Sequence, residues 1–140
     1  MRIFNILLLL TFAQTQNYSL SFDGVDDYVE IEENLDIQPN NTLTIAAWIN
    51  FESGGIANPY PVSGGGYEIA TTGTGTTRQY IFAITTGGPH VLCYSNALIQ
   101  ADEWHFIAGT YDGAQLKLYI DGILDNFTDL SGDINNFGNL

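Results

Sequence analysis

From Tyr18 onward apolar and polar residues alternate with a period of two, and helical spacing is nowhere sustained. The alternation predicts strands at Tyr18–Phe22, Tyr28–Ile31, Leu43–Phe51, Tyr67–Thr71, Arg78–Thr85, His90–Tyr94, Trp104–Tyr111, Gln115–Ile120 and Ile123–Phe127. In the third of these, Leu43, Ile45, Ala47, Ile49 and Phe51 alternate with Thr44, Ala46, Trp48 and Asn50. One face is therefore core, and the other is mixed. Asp112-Gly113 and Asp121-Gly122 separate the last three strands. Asp-Gly supplies the positive φ of tight hairpins, so these strands read as a meander. Residues 54–77 are rich in Gly, Thr and Ser, which predicts a loop with one short strand at Tyr67. Many short strands with turn-forming breaks predict an all-β, antiparallel two-sheet jelly-roll sandwich.

The first residues break the pattern. Arg2, an apolar run from Ile3 to Leu10, and Thr11-Phe-Ala13 have the layout of a secretory signal peptide, residues 1–13, cleaved before Gln14. The run is too short for a membrane helix and no other segment is longer, so no membrane span is expected. The expected location is secreted or cell-surface. The remainder of the chain is long enough for one domain with one core. The net charge is −13, and Arg78 and Lys117 are the only lysine or arginine beyond Arg2. Such a surface repels phosphate backbones, so nucleic acid is not an expected partner. Cys93 is the single cysteine. It excludes an internal disulfide framework and cysteine-based zinc sites, and its apolar context predicts a buried small hydrophobe.

Three stretches carry a family likeness: Ser19-Leu-Ser-Phe-Asp-Gly-Val-Asp-Asp-Tyr-Val-Glu-Ile31, Leu43-Thr-Ile-Ala-Ala-Trp-Ile-Asn50, and Glu103-Trp-His-Phe-Ile-Ala-Gly-Thr-Tyr-Asp-Gly113 followed by Leu116-Lys-Leu-Tyr-Ile-Asp-Gly122. In this order they resemble the opening hairpin, central strand and paired late strands of laminin-G-like domains in the concanavalin A-like lectin and glucanase superfamily. The resemblance implies a jelly-roll domain over residues 17–140 that binds sugars or proteins, commonly within a larger extracellular protein. It also implies a further strand beside the opening one. The sequence stops at Phe137-Gly-Asn-Leu140, so the expected domain lacks that last strand.

Asp23, Asp26 and Asp27 form the densest carboxylate cluster. Calcium takes six to eight oxygen ligands and is the candidate cofactor there, while the plainer reading is a turn whose aspartates cap their own backbone. Tyr28 stands where an EF-hand loop would need its glycine. A glycosidase would need two carboxylates flanking the scissile bond. The nearest pair is Glu30 and Glu32, better read as outward strand residues, and the superfamily's Glu-x-Asp-x-x-Glu pattern is absent. No catalytic role is expected. His105, between Trp104 and Phe106, reads as a packed or surface strand histidine.

Aromatic rings stack on sugar faces, which makes Trp48 the main ligand-binding candidate, with Tyr60, His90 and Tyr94 behind it. Trp48 points away from the Leu43/Ile45/Ala47 face. It is therefore covered by a loop or part of a ligand surface, and covering fits the usual burial of tryptophan. The expected function is a non-catalytic module that binds a glycan or an extracellular protein. The alternatives are an adhesive spacer and, behind it, a glycoside hydrolase.

Overall fold

A computed structural model of the chain describes residues 19–23, 26–31, 38–53, 59–88 and 90–135. The proposed signal peptide, Tyr18, Glu32 and residues 136–140 lie outside these. Eight strands follow in order: β1 (Leu43–Asn50), β2 (Val62–Ser63), β3 (Tyr67–Thr72), β4 (Gln79–Thr85), β5 (His90–Tyr94), β6 (Trp104–Tyr111), β7 (Gln115–Ile120) and β8 (Ile123–Asp129). They form two antiparallel four-stranded sheets, β1-β6-β7-β8 (sheet A) and β2-β3-β4-β5 (sheet B). The described residues thus form an all-β, two-sheet sandwich, as the alternation predicts.

The core lies between the sheets. Ile49, Ile107, Tyr111, Leu116 and Leu118 come from sheet A, and Ile69, Tyr80, Phe82, Ile84 and Cys93 from sheet B. Each fully buried large side chain contributes about 1.5–3 kcal/mol, so this layer is what joins the sheets. Gly109 of β6 lets them approach: a Cβ there would stand 2.4 Å from the Phe82 ring. Ile134 enters the same core, held by an isolated bridge to Thr86. Nearby, the Tyr111 hydroxyl donates to the Gly132 carbonyl at 2.6 Å.

The β6-β7-β8 meander forms as expected, with two different turns. Asp121 (φ 52°) and Gly122 (φ 80°) are both left-handed, the condition for a two-residue hairpin loop. At the first turn only Gly113 is left-handed (φ 86°). There the Asp112 carboxylate accepts from the N–H groups of Ala114 (3.0 Å) and Gln115 (2.8 Å), so a side chain closes a longer loop. Between β7 and β8 a register shift at Leu118/Tyr119 leaves Asp125 out of the ladder. Its carboxylate accepts instead from the N–H groups of Asn96 (2.5 Å) and Ala97 (3.1 Å). The Asn126 amide donates to the Tyr94 carbonyl at 2.8 Å. Together they tie the β8 edge of one sheet to the end of β5 in the other.

The two opening strands are not formed. Residues 19–22 and 28–31 belong to no strand, and Leu20, Phe22, Tyr28, Val29 and Ile31 are more than half exposed. Alternation equips a segment to pair, but pairing needs a neighbouring edge, and no described strand is hydrogen-bonded to this segment. Smaller differences lie at element ends. β2 is an additional short strand within the expected loop. Gly75–Thr77 form a 3₁₀ turn, and Arg78 ends that turn rather than opening β4.

Candidate functional site

β1 places Leu43, Ile45, Ala47 and Ile49 toward the core, so Thr44, Ala46 and Trp48 point outward by the two-residue period. Trp48 is 64% exposed. No loop among the described residues covers it, and the expectation of a buried tryptophan is corrected. The reason lies in its neighbours. β1 pairs with β6 in a register that sets Trp48 opposite Phe106, Asn50 opposite Trp104 and Ala46 opposite Ala108. The Trp48 and Phe106 rings are 5.4 Å apart, tilted by 48°. Part of the indole's apolar surface is thus covered sideways within the sheet, while its outward face stays open.

Trp104 lies on the same face, diagonal to Trp48, and is also half-exposed. These are the chain's only two tryptophans. Tyr119 on β7 and Leu124 and Phe127 on β8 continue the face by register. Trp104 and Phe106 were not among the expected ligand residues. Their signal was present in the alternation Trp104, Phe106, Ala108, Thr110 against Ile107, Gly109, Tyr111, but assigning the outward set required the pairing with β1.

The other candidates do not join Trp48. His90 and Tyr94 stand at the two ends of β5, in sheet B, and Tyr60 lies in the segment before β2. All three are exposed. His90 is engaged locally, Nδ1 with the Thr85 hydroxyl at 2.7 Å and Nε2 with Glu68 at 3.4 Å. Trp48 and the β5 residues belong to different sheets, so His90 and Tyr94 share no strand surface with Trp48. His105 is packed, its Nδ1 2.9 Å from the Asp121 carboxylate and its ring edge-on to Tyr80. That contact, with the N–H of Phe106, holds the Asp121 carboxyl below its ordinary value.

The chain matches the Laminin_G_3 family, described as the concanavalin A-like lectin/glucanases superfamily, over residues 23–140. It belongs to this superfamily. No curated protein matches the chain significantly. Membership in the laminin-G-like family suggests a binding module, and the tryptophan face gives such a module an exposed surface. Among the described residues no helix is long and apolar enough to cross a membrane.

In the laminin-G-like domain the Asp23, Asp26 and Asp27 side chains come together, with one oxygen of each lying within 4.8 Å of the others. All three are exposed, and the Asp23 N–H donates to the Asp27 carboxylate at 3.0 Å. The Asp27 carboxylate therefore caps the Asp23 backbone, in line with the plainer reading. The carboxylates also suit a hard cation, and they would supply three of the six to eight oxygens that calcium takes. Glu30 is exposed; its expected neighbour Glu32 is outside the described residues.

Proposed function

We propose that this chain is a secreted, non-catalytic module that binds an extracellular glycan or protein through the outer face of sheet A. The observation that carries this is the exposure of Trp48 and Trp104 on adjacent strands, with Phe106 packed beside Trp48. Large aromatics left open to water cost solvation free energy that a bound partner recovers. Superfamily membership supports a binding role. Export rests on Arg2, the apolar run after it and Ala13. Calcium is proposed as a ligand of the Asp23–Asp27 turn, away from the tryptophan face in sequence.

The test compares the secreted chain with Trp48→Ala on a glycan array and on a panel of immobilised extracellular proteins. Specific binding that Trp48→Ala abolishes, with the fold retained by circular dichroism, is the expected result. Binding to neither array, or binding indifferent to the substitution, would favour an adhesive spacer. Mass spectrometry of the same secreted protein should show a start at or near Gln14.

A further inference from the structure

The end of sheet A that carries the tryptophans also carries carboxylates. Glu52 follows β1 two residues after Asn50, Asp102 and Glu103 precede Trp104, and Asp121 sits in the turn beside Phe106. All four are exposed. The backbone binds them to one place. The Asp102 N–H donates to the Phe51 carbonyl at 2.7 Å, and its side chain accepts from the Ser53 N–H at 3.0 Å. Asp121 accepts from the Phe106 N–H at 2.8 Å.

Cations that could neutralise this rim are scarce. Among the described residues the lysines and arginines are Arg78 and Lys117. Arg78 is buried, its guanidinium 5.4 Å from the centre of the Phe51 ring, so its charge offsets only part of the rim's negative potential. Lys117 is paired with Asp112 at 2.9 Å, by the opposite turn of the meander. His105 lies against Asp121 but faces inward toward Tyr80.

We infer that the Trp48–Phe106–Trp104 end of sheet A docks a basic segment of a partner protein, one in which lysine or arginine alternates with apolar residues. This rests on the binding-module reading and names the class of partner. Exposed indole faces attract ammonium and guanidinium groups through the ring quadrupole. The flanking carboxylates add charge complementarity, which speeds encounter and rejects anionic partners. Apolar side chains of the segment cover Phe106, which neighbours both tryptophans, and the Ala46 and Ala108 pair beyond Trp48. Acidic glycans and nucleic acids meet the same carboxylates and are repelled.

The test uses the full chain and three fluorescent probes: a short synthetic peptide alternating lysine with leucine, the same peptide with glutamate for lysine, and a neutral cello-oligosaccharide. Fluorescence anisotropy should show binding of the lysine peptide alone, weakening on the order of tenfold as salt rises from the millimolar range to about 0.3 M. Trp104→Ala and the pair Glu52→Gln with Glu103→Gln should each weaken it several-fold. The glutamines stand at exposed positions and leave the fold intact, so they decide the matter if Trp104→Ala unfolds. Glu68→Gln, on sheet B, should change nothing. Equal binding of both peptides, preference for the oligosaccharide, or an equal effect of Glu68→Gln would overturn the inference. Oligosaccharide binding that needs Trp48 would leave the binding-module reading standing; indifference of every probe to both tryptophans would remove both.

Discussion

Tyr80 sits in the core with its hydroxyl buried and without a hydrogen-bond partner among the described residues. Burial, and then the nearby Asp121 charge, push its pKa up. An unpartnered buried hydroxyl forfeits its bonds to water, so deleting it costs nothing and recovers part of that loss. Tyr80→Phe should therefore leave stability unchanged or raise it by about 1 kcal/mol, read as the midpoint of a denaturant melt. A loss of similar size would show that the hydroxyl has a partner. Gly109 is the opposite case. Because a Cβ would meet Phe82 Cδ2 at 2.4 Å, Gly109→Ala overpacks the space between the sheets and should cost about 1–3 kcal/mol. Shortening the opposing ring with Phe82→Leu in the same protein should recover part of that. Neither residue announces itself in the sequence. Tyr80 is one aromatic among many, and Gly109 lies mid-strand, where glycine is usually read as a weak point or a bulge.

The β6–β7 hairpin is held partly by charge. Asp112 is pulled down to about 2, first by the Lys117 ammonium and then by the N–H groups of Gln115 and Ala114. A carboxyl whose folded pKa lies below its ordinary value of 3.8 favours the folded state while ionised. That contribution is complete above the ordinary value and is lost as the pH falls through about 2. NMR titration should place the Asp112 midpoint near 2, and amide protection in β6 and β7 should weaken across the same interval. In Asp112→Asn that acid-dependent loss should disappear; in Lys117→Gln the Asp112 midpoint should move back up. Element by element, β5, β6 and β7 have the ends that alternation assigns them, since each runs between strong breakers and buries one face. The opening stretch alternates just as well, yet Leu20 and Phe22 remain exposed. Period two describes a face, whereas a strand also requires hydrogen-bonded neighbours.

At the scale of the molecule, the local meander β2-β3-β4-β5 packs through one shared core on a sheet in which β1 pairs with β6 across the intervening chain. The exposed carboxylates of Asp23, Asp26 and Asp27 lie outside that core. If calcium binds there, the ion stabilises the native state by mass action. Thermal melts in millimolar calcium should then exceed those with chelator, and Asp23→Ala plus Asp27→Ala should abolish the difference. Identical melts would retire the calcium proposal. The same experiment on Trp48→Ala should still show the calcium shift, because that substitution removes none of the three carboxylates.

Sequence alone determined the fold class, the β6-β7-β8 meander, the burial of Cys93 and the inward face of β1, because each follows from local period and turn chemistry. It also put Trp48 on the opposite face from Ile45 and Ala47. Tertiary structure decided what that face meets. Only the register of β1 against β6 brings Trp48 to Phe106 and Trp104 to Asn50, residues more than fifty positions apart. Only sheet order separates Trp48 from His90 and Tyr94. Exposure is a property of what packs on a surface, and no single segment of the chain contains that information.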